Sequence, residues 1–512
     1  MVSVDLQTPR NFAGLLWESA EVWPGRVAID EAGTPTTYAA LRDRAACIAA
    51  SLRTAGAHPG DRVVVLLSRG TDAAAAVFAV LAVGAIVTMI SEESTPPQIA
   101  HMCRTLGARL LLTSVALLTP ERKDAMGDTR ALLVEASPSS AALRPVERRA
   151  DDPAQVTFTS GSTGAPKGVV ASHQNLWAGV AGVQAYLGIE SSDRVASLLP
   201  FAFVYGFNQL TLALACGATL VIERSALPPV LVKALSARGV TVMAAVPPLW
   251  HQLLAVEAFR TPWPALRLVT NAGGHLAPAL VRSLRAAQPQ ARLFLMYGLT
   301  EVFRSTFLDP SEVDAHPDSM GRALPGSRVH VIRNDGTECD DDEIGEVIHG
   351  GPTVALGYWN DPDATARVFR DDPLAREAGN GRPGRVVFTG DLARRDREGR
   401  LYHCGRRDAI IKTLGFRVSP DEITDVLVAS GQVAECAVHG IADEVRGQAI
   451  VAHVVLRDGG SMEALRASIG RALPRHMHPL RTLLHTALPR TANGKIDIPA
   501  LRAVTAVDSR TS

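Results

Sequence analysis

The sequence predicts an α/β protein with a large, multi-subdomain N-terminal domain of layered α/β sheets and a small α+β C-terminal domain. Two observations support this fold class. Short apolar runs alternate with helical patterns, as in the runs 220–223 and 292–297 and the helical segment 277–287 between them, and this order is typical of largely parallel sheets. After residue 404 the order changes to short strands mixed with helices. We therefore expect domains at 1–404 and 405–512.

The N-terminal region contains one segment that is long enough to be compared with a membrane span. Residues 73–90 carry no charged side chain over eighteen positions, and that length alone would allow a span. The segment is dominated by alanine, however, and Gly84 divides it. We therefore predict a buried helix over 73–83, a short strand over 85–90 and no membrane span.

The overall composition favours a small-molecule partner. The chain has 52 basic and 52 acidic residues, so no excess of positive charge favours nucleic acid or an anionic membrane. None of the six cysteines forms a CxxC pair, and His476 and His478 lack further ligands nearby in sequence, so the pattern does not indicate zinc. This cysteine usage, with an N-terminus unlike a signal peptide, predicts a cytoplasmic location.

A loop rich in glycine and hydroxyl side chains gives the strongest local signal. Residues 160–168 read SGSTGAPKG and follow the strand-like run 155–159. Glycines let backbone amides approach phosphate oxygens, hydroxyls add hydrogen-bond donors, and Lys167 adds positive charge. The loop is not a Walker A motif, because Pro166 precedes the lysine and Gly168 follows it. It therefore predicts a polyphosphate site of another kind.

Further motifs follow this loop along nearly the whole chain. They are Tyr297-Gly-Leu-Thr-Glu301, Gly345-Glu346 with Gly357-Tyr358-Trp359, Thr389-Gly-Asp391, the segment 405–417, and Asn493-Gly-Lys495. Together with the loop, this set resembles the adenylate-forming superfamily, which comprises acyl-CoA synthetases, peptide-synthetase adenylation domains and luciferases. The resemblance covers roughly residues 10–505, and the shared order of six motifs makes chance agreement negligible.

The resemblance implies an activity and its cofactors. A carboxylic acid would react with ATP and Mg²⁺ to give the acyl-adenylate and pyrophosphate, and the acyl group would then pass to the thiol of coenzyme A. Loading of a carrier protein's phosphopantetheine thiol is an alternative that the sequence leaves open. Two alternatives belong to other classes, an inactive acyl- or nucleotide-binding protein and a luciferase-like oxygenase. Lys167, Glu301, Asp391 and Lys495 together argue against an inactive protein.

The resemblance also assigns residues to the first half-reaction. Lys495 would bridge the substrate carboxylate and the α-phosphate, Thr300 would lie near that phosphate, and Glu301 would bind magnesium. Tyr297 would stack on adenine, and Asp391 would accept hydrogen bonds from the ribose. The complete set of predicted ATP-binding residues is Thr159, Ser160, Gly161, Ser162, Thr163, Gly164, Lys167, Asn271, Ala272, Gly273, Tyr297, Gly298, Asp391 and Arg406.

For the second half-reaction, the resemblance implies that the small C-terminal domain is mobile. The domain would rotate about a hinge at Asp408, withdraw Lys495 and present the loop 412–417. In that loop Lys412, Gly415 and Arg417 are the predicted thiol-tunnel residues, and Gly415 would allow close approach of a pantetheine arm.

The segment 201–208 resembles the part of the family that lines the acyl pocket. Relatives that activate amino acids usually have an aspartate where Val204 stands here, and an unpaired ammonium would be costly to bury, so an α-amino acid is disfavoured. We therefore expect an apolar pocket for a hydrophobic acid of fatty, aryl or polycyclic type. The predicted pocket residues are Phe203, Val204, Tyr205, Gly273, Gly274, Leu299 and Val302.

Overall fold

The structure is a computed structural model that describes residues 4–8, 10–134, 143–159, 166–375, 384–407, 409–414, 416–443, 445–491 and 495–508. Within these ranges the α-helices are α1 (Gly14–Val22), α2 (Tyr38–Thr54), α3 (Thr71–Ala82), α4 (Pro96–Leu106), α5 (Pro120–Ala125), α6 (His173–Leu187), α7 (Val204–Ala215), α8 (Pro228–Ala237), α9 (Pro247–Leu254), α10 (Glu257–Arg260), α11 (Pro278–Ala287), α12 (Pro362–Val368), α13 (Pro420–Ala429), α14 (Met462–Ala472) and α15 (Ile498–Asp508). Short 3₁₀ turns cover Val115–Leu117, Thr300–Val302 and Arg475–Met477.

The strands are numbered in the same way. They are β1 (Val27–Glu31), β2 (Thr34–Thr37), β3 (Arg62–Leu66), β4 (Ile86–Met89), β5 (Leu110–Thr113), β6 (Arg130–Leu133), β7 (Pro153–Thr159), β8 (Lys167–Ser172), β9 (Arg194–Ser197), β10 (Thr219–Ile222), β11 (Val242–Ala245), β12 (Leu268–Asn271), β13 (Arg292–Tyr297), β14 (Thr306–Leu308), β15 (Ser319–Ala323), β16 (Arg328–Ile332), β17 (Gly345–Gly350), β18 (Gly357–Tyr358), β19 (Phe369–Asp371), β20 (Arg385–Arg395), β21 (Leu401–Arg406), β22 (Ile411–Thr413), β23 (Phe416–Val418), β24 (Val433–Asp443), β25 (Gly447–Leu456) and β26 (Arg481–Leu484).

One sheet has the strand order β18-β8-β7-β4-β3-β5-β6. Its strands run parallel from β7 to β6, while β8 and β18 are antiparallel additions at one edge. The apolar segment 73–90 forms most of α3 and all of β4, and every side chain from Ala73 to Ala82 is fully buried. The predicted helix-then-strand arrangement is confirmed, and among the described helices none is long and apolar enough to cross a bilayer.

The largest sheet has the order β16-β17-β20-β21-β15-β14-β13-β12-β11-β9-β10-β1-β2, with β19 beside β20. The strands from β1 to β13 in this order are parallel, as predicted, apart from the edge strand β2. From β13 onward every neighbour is antiparallel. The prediction of largely parallel sheets therefore holds for only one half of this sheet.

Helix α6 shows how local sequence sets an element boundary near the site. The hydroxyl of Ser172 accepts a hydrogen bond from the backbone N–H of Asn175, and the side chain of Asn175 accepts one from the N–H of Ser172. This reciprocal capping satisfies two donors that a helix start leaves unpaired. The helix ends at Leu187, and its C-cap is Gly188, whose φ of 59° suits glycine. Its buried face packs into the largest core cluster.

A third sheet, with the order β23-β22-β25-β24 and β26 beside β25, forms the C-terminal unit. Helices α13 and α14 pack on it around a separate apolar cluster that includes Ile423, Val438 and Leu465. The α/β N-terminal and α+β C-terminal fold classes are confirmed. We propose 404/405 as the domain division, although β21 continues to Arg406 and keeps that residue in the large domain's sheet.

Candidate active site

Asp391 is the centre of one polar cluster. It is 6% exposed, its Oδ2 accepts a 2.5 Å hydrogen bond from the hydroxyl of Tyr297, and Arg406 Nη1 lies 3.0 Å from its Oδ1. His403 Nε2 lies 3.9 Å from the same carboxylate. Burial alone would raise the pKa of Asp391, but His403, Arg406 and Tyr297 lower it overall. The carboxylate is therefore held ionised and ready to accept hydrogen bonds.

Hydrogen bonds to the neighbouring residues Thr389 and Gly390, within β20, orient Asp391. The Thr389 hydroxyl donates to the carbonyl of Val347 at 2.8 Å and accepts from the N–H of Asp391 at 3.0 Å. The N–H of Gly390 donates to Glu346 Oε1 at 3.0 Å. Thr389 and Glu346, from two of the motifs, thus hold the backbone that carries the carboxylate.

A second cluster lies beside the phosphate-loop motif. Thr159 and Lys167 are opposite each other in the antiparallel β7–β8 pair, so they hold the two ends of the loop together. The ammonium of Lys167 lies 5.4 Å from the ring centroid of Tyr358, and the Tyr358 hydroxyl donates a 2.7 Å hydrogen bond to Glu301 Oε1. The intervening loop residues Ser160, Gly161, Ser162, Thr163 and Gly164 lie outside the described residues.

The residues at Glu301 fit a magnesium ion that is shared with a nucleotide. Among the described residues, no group of three or more acidic, histidine or cysteine side chains could enclose a metal ion. Mg²⁺ usually takes only one or two carboxylates in nucleotide sites, with the remaining ligands from phosphates and water. One oxygen of Glu301 is oriented by Tyr358, and such outer-shell support is typical of metal-binding carboxylates.

Lys495 lies near both clusters although it comes from the C-terminal unit. Desolvation by the surrounding protein is the main cause that lowers its pKa, and the nearby charge of Arg406 lowers it further, whereas Asp391 and Glu301 raise it. The residue as a whole is exposed, yet the surrounding protein desolvates it enough to lower its pKa. The backbone N–H of Thr491 donates to the Lys495 carbonyl at 2.8 Å and closes the turn that presents it.

Asn271, the last residue of β12, has a buried hydrogen-bond acceptor without a partner among the described residues. Asn271 is 3% exposed, its Nδ2 donates to the carbonyl of Gly274 at 3.3 Å, and its buried Oδ1 has no partner among the described residues. Gly273 and Gly274 are exposed, whereas Ala272 is 1% exposed and packs into the core. A nucleobase amino group would supply the donor that Asn271 lacks.

The predicted acyl residues are divided between two places. Phe203 is the N-cap of α7, Val204 and Tyr205 are its first two residues, and all three are partly exposed. Val302, by contrast, is 0% exposed and packs in a core cluster with residues that include Val169, and Leu299 packs against the same cluster. The structure therefore does not bring Val302 together with the residues at the start of α7, because its 3₁₀ turn directs that side chain toward β8.

A strained turn follows Val302 and positions Arg304, a charged residue that the sequence analysis did not predict as part of the site. Phe303 has φ 63° and ψ −61°, and the N–H of Arg304 donates to the Val302 carbonyl at 2.6 Å, which together define a γ-turn of the rare, strained hand. Arg304 is only 3% exposed, and its guanidinium carbon lies 5.0 Å from the ring centroid of Tyr205. A buried positive charge thus packs against one residue of the predicted acyl segment.

Two glycines leave the space that this turn occupies. A side chain at Gly179 on α6 would meet the ring of Phe303 at 2.6 Å, and one at Gly298 would meet the backbone of Arg304 at 2.9 Å. Both positions therefore require glycine because of the γ-turn. Gly298 belongs to the predicted nucleotide motif, and its packing against Arg304 gives it an additional structural role.

In the part of the chain that the structure describes, side-chain pairs join the C-terminal unit to the large domain. His275 Nε2 contacts Asp425 on α13 at 3.0 Å, and His403 Nδ1 lies 3.2 Å from Asp421 on the same helix. At another point Arg457 Nη2 lies 3.1 Å from His251 Nε2. These contacts hold the arrangement in which Lys495 lies near Asp391 and Glu301. They join distant parts of the chain, so no local sequence signal could have identified them.

The predicted residues of the second half-reaction are only partly described. Asp408 and Gly415 lie outside the described residues, as does the side chain of Arg417. Lys412 is exposed on the β22–β23 hairpin, and its N–H donates to Gln448 Oε1 at 2.6 Å within the C-terminal unit. In this arrangement the hydrogen bonds of the described residues do not link Lys412 to the Asp391 or Glu301 clusters.

Comparison with known families and structures agrees with this architecture. The family model described as AMP-binding enzyme matches residues 16–359, and the one described as AMP-binding enzyme C-terminal domain matches residues 422–495. The solved o-succinylbenzoate CoA synthetase (MenE) from Bacillus subtilis, in complex with its acyl-adenylate intermediate, superposes with a TM-score of 0.84 at 26% identity, covering 97% of this chain and 98% of that chain. A benzoate CoA ligase from Burkholderia xenovorans LB400 gives 0.84 at 26% identity, covering 96% and 99%.

Curated relatives include parts of much longer proteins. Gramicidin S synthase 2 from Brevibacillus brevis is 30% identical over 504 residues, which are 96% of this chain and 11% of that protein. Delta-poly-L-ornithine synthetase from Acinetobacter baumannii is 30% identical over 498 residues, which are 96% of this chain and 36% of that protein. The chain thus spans well under half of either relative. On the family models, the shared fold and the ordered motifs, the chain belongs to the AMP-binding enzymes, the adenylate-forming superfamily.

Proposed function

We propose that the protein activates a carboxylic acid with a largely apolar body as its acyl-adenylate and transfers the acyl group to the thiol of coenzyme A. The observation that carries the proposal is that Lys495, from the C-terminal unit, lies close enough to Asp391 and Glu301 for both carboxylates to raise its pKa. A lysine from a separate unit at this position supplies positive charge where a carboxylate and a triphosphate, both anionic, must meet.

The residues have complementary roles in the first half-reaction. Lys167 and the loop 160–165 hold the β- and γ-phosphates, and Glu301 would hold magnesium, which when bound would supply positive charge to the phosphates. Asp391 accepts the ribose hydroxyls, while Tyr297 and the 271–274 segment enclose the adenine. Lys495 and Thr300 contact the α-phosphate. Catalysis of this type is mainly positioning and charge stabilisation.

For the acyl acceptor we propose coenzyme A. The supporting observation is the similarity to solved CoA ligases over nearly the whole of both chains. The curated relatives of the synthase class favour the second candidate, a carrier-protein phosphopantetheine. In either case a rotation at Asp408 would replace Lys495 with the 412–417 loop, where Lys412, Gly415 and Arg417 would guide the thiol arm.

An end-point assay separates these possibilities. The protein is incubated with ATP, Mg²⁺ and a panel of carboxylic acids, with coenzyme A, with a phosphopantetheinylated carrier protein, or with neither. We expect acid-dependent AMP and a thioester that forms with coenzyme A. Thioester on the carrier protein alone would establish the second candidate. ADP as the nucleotide product would contradict acyl-adenylate chemistry, and oxygen consumption would indicate the oxygenase alternative.

A further inference from the structure

We propose that the acid carries a second carboxylate and that Arg304 binds it within the acyl pocket. The inference rests on the proposed function and narrows its substrate class to dicarboxylic acids with an apolar spacer. It depends on a buried positive charge that the described protein does not neutralise.

The first observation is the lack of a partner. Arg304 is 3% exposed, and among the described residues its guanidinium makes no hydrogen bond or ion pair, with Nε fully enclosed. Arg400, another buried arginine, shows the ordinary solution, because its guanidinium contacts three carboxylates at 2.8–2.9 Å. A guanidinium stays charged in proteins, and an unpaired buried charge is strongly destabilising. A ligand anion at Arg304 would remove this cost.

The second observation is that two donors, one next to Arg304 in the chain and one next to Tyr205 along α7, also lack acceptors among the described residues. Ser305, the next residue, is 0% exposed and its hydroxyl has no partner among the described residues. Asn208 lies one turn after Tyr205 on α7, and its buried Nδ2 is likewise without a described partner. A region with several unpaired donors and a positive charge suits a ligand group that only accepts hydrogen bonds. A carboxylate is such a group, and its two oxygens match the planar fork of arginine.

The third observation separates this charge from the phosphates of ATP. Glu301 is oriented toward Tyr358 and Lys167, on the phosphate side of the site. The γ-turn at Phe303 redirects the chain, so that Arg304 lies over the ring of Tyr205 on α7, in the acyl segment. The reacting carboxylate would therefore meet Lys495, and the second carboxylate would meet Arg304, with the apolar spacer against Phe203 and Val204.

Binding measurements with matched acids test the inference directly. The AMP-saturated protein is titrated calorimetrically with pentanedioate, octanedioate and benzene-1,3- and 1,4-dicarboxylate, and with the twins in which a methyl group replaces one carboxylate. We expect at least one dicarboxylate to bind about 30- to 1000-fold more tightly than its twin, as for a buried charge pair. Arg304→Met should reduce that preference to less than about threefold, whereas Arg292→Met should leave it unchanged. Arg292 is a matched control because it also lies over an aromatic ring, Phe294, at the opposite end of β13.

Two further measurements keep the test decisive. Arg304→Met should melt no lower than the wild type, because the substitution removes an unpaired buried charge. If it does not fold, Arg304→Lys keeps the charge without the fork and should retain part of the preference. The inference is overturned if no dicarboxylate exceeds its twin in the wild type, if the preference survives in Arg304→Met, or if Arg304→Met weakens ATP and all acids equally.

Activity with the same panel distinguishes this inference from the proposed function. Arg304-dependent binding of a dicarboxylate without acid-dependent AMP would support the inference and contradict adenylation. AMP formation with monocarboxylates, at rates that Arg304→Met does not lower, would support adenylation and overturn the inference.

Discussion

The imidazole Nε2 of His275 lies 3.0 Å from both carboxylate oxygens of Asp425. His275 follows β12 in the large domain, and Asp425 lies on α13 of the C-terminal unit. Burial alone would lower the pKa of His275, but the hydrogen bond and charge of Asp425 raise it overall. The pair therefore stabilises the arrangement that brings Lys495 into the cleft, and it is strongest when His275 is protonated.

Breaking this pair should slow the first half-reaction selectively. A partly buried, charge-assisted hydrogen bond contributes about 1–2 kcal/mol, so Asp425→Ala should lower acid-dependent pyrophosphate exchange by roughly 5- to 30-fold. Under the proposed rotation at Asp408 the second half-reaction uses another arrangement, so acyl transfer from a supplied acyl-adenylate should change by less than about twofold. Both rates are measured on the same preparation.

The matched control is His330→Ala. His330 and Glu338 form a similar histidine–carboxylate pair at 2.9 Å, but both lie in the large domain. The control should leave the ratio of the two rates unchanged. An equal loss of both rates in Asp425→Ala would contradict a role of the pair in domain arrangement.

A second histidine predicts a pH dependence of stability. His403 lies between Asp391 and Asp421, and although burial lowers its pKa, the two carboxylates raise it to about 9. Because the folded pKa exceeds the unfolded value, the stabilisation is complete below about pH 6.5 and is lost as the pH rises through about 9. The shift corresponds to at most roughly 3 kcal/mol.

Denaturant unfolding at pH 6, 7.5 and 9 measures this effect. The difference in unfolding free energy between the wild type and His403→Gln should shrink steadily from pH 6 to pH 9. A difference that stays constant across this range would show that His403 does not titrate as the structure implies. Asp421 is one of the two carboxylates that raise the pKa of His403. Asp421→Asn should therefore reproduce part of the pH dependence of His403→Gln.

The γ-turn at Phe303 predicts an unusual sensitivity at Gly179. In Gly179→Ala the new methyl group would meet the Phe303 ring at 2.6 Å, and overpacking of this kind costs about 1–3 kcal/mol. Activity should fall as well, because the turn carries Arg304 and follows Glu301. Thermal unfolding and acid-dependent AMP formation are the measurements.

Gly182→Ala on the same helix is the control. Its methyl group would meet only Leu324, at 3.4 Å, and alanine is favoured over glycine in a helix by roughly 0.5–1 kcal/mol. It should therefore leave stability equal or slightly higher. Equal melting temperatures of the two variants would show that Phe303 does not pack against α6 as closely as the structure indicates.

The parallel strands of the large domain could be predicted from the sequence, because each is a short apolar run followed by a helical pattern. The segment 292–297 became β13 with the same ends, and 277–287 became α11. The antiparallel strands β14–β21 were harder, because they are short and partly polar, and their pairing depends on contacts between distant residues. Strand β15, for example, pairs with β21 about eighty residues later, through Ser319 and Tyr402.

The site was predictable to the extent that motifs carry it. Asp391, Tyr297 and Lys167 come from short signatures, and the structure adds what orients them. Tyr358 stood in a recognised motif without a role, and its hydroxyl contacts Glu301. Arg304 had no signal, because a single arginine after a motif becomes informative only when its burial and lack of partners are known. Val302 was predicted to line the acyl pocket because it follows a motif in the sequence, yet the 3₁₀ turn directs its side chain into the core.

The central claim is that Lys495, from the C-terminal unit, completes a site for adenylate formation. Acid-dependent exchange of pyrophosphate into ATP tests it most directly, measured for the wild type and Lys495→Met with an acid that the wild type activates. We predict exchange in the wild type and a loss of about 10²–10³ in Lys495→Met, with acyl transfer from a supplied acyl-adenylate retained. Undiminished exchange in Lys495→Met, or wild-type exchange that does not depend on any acid, would contradict the claim.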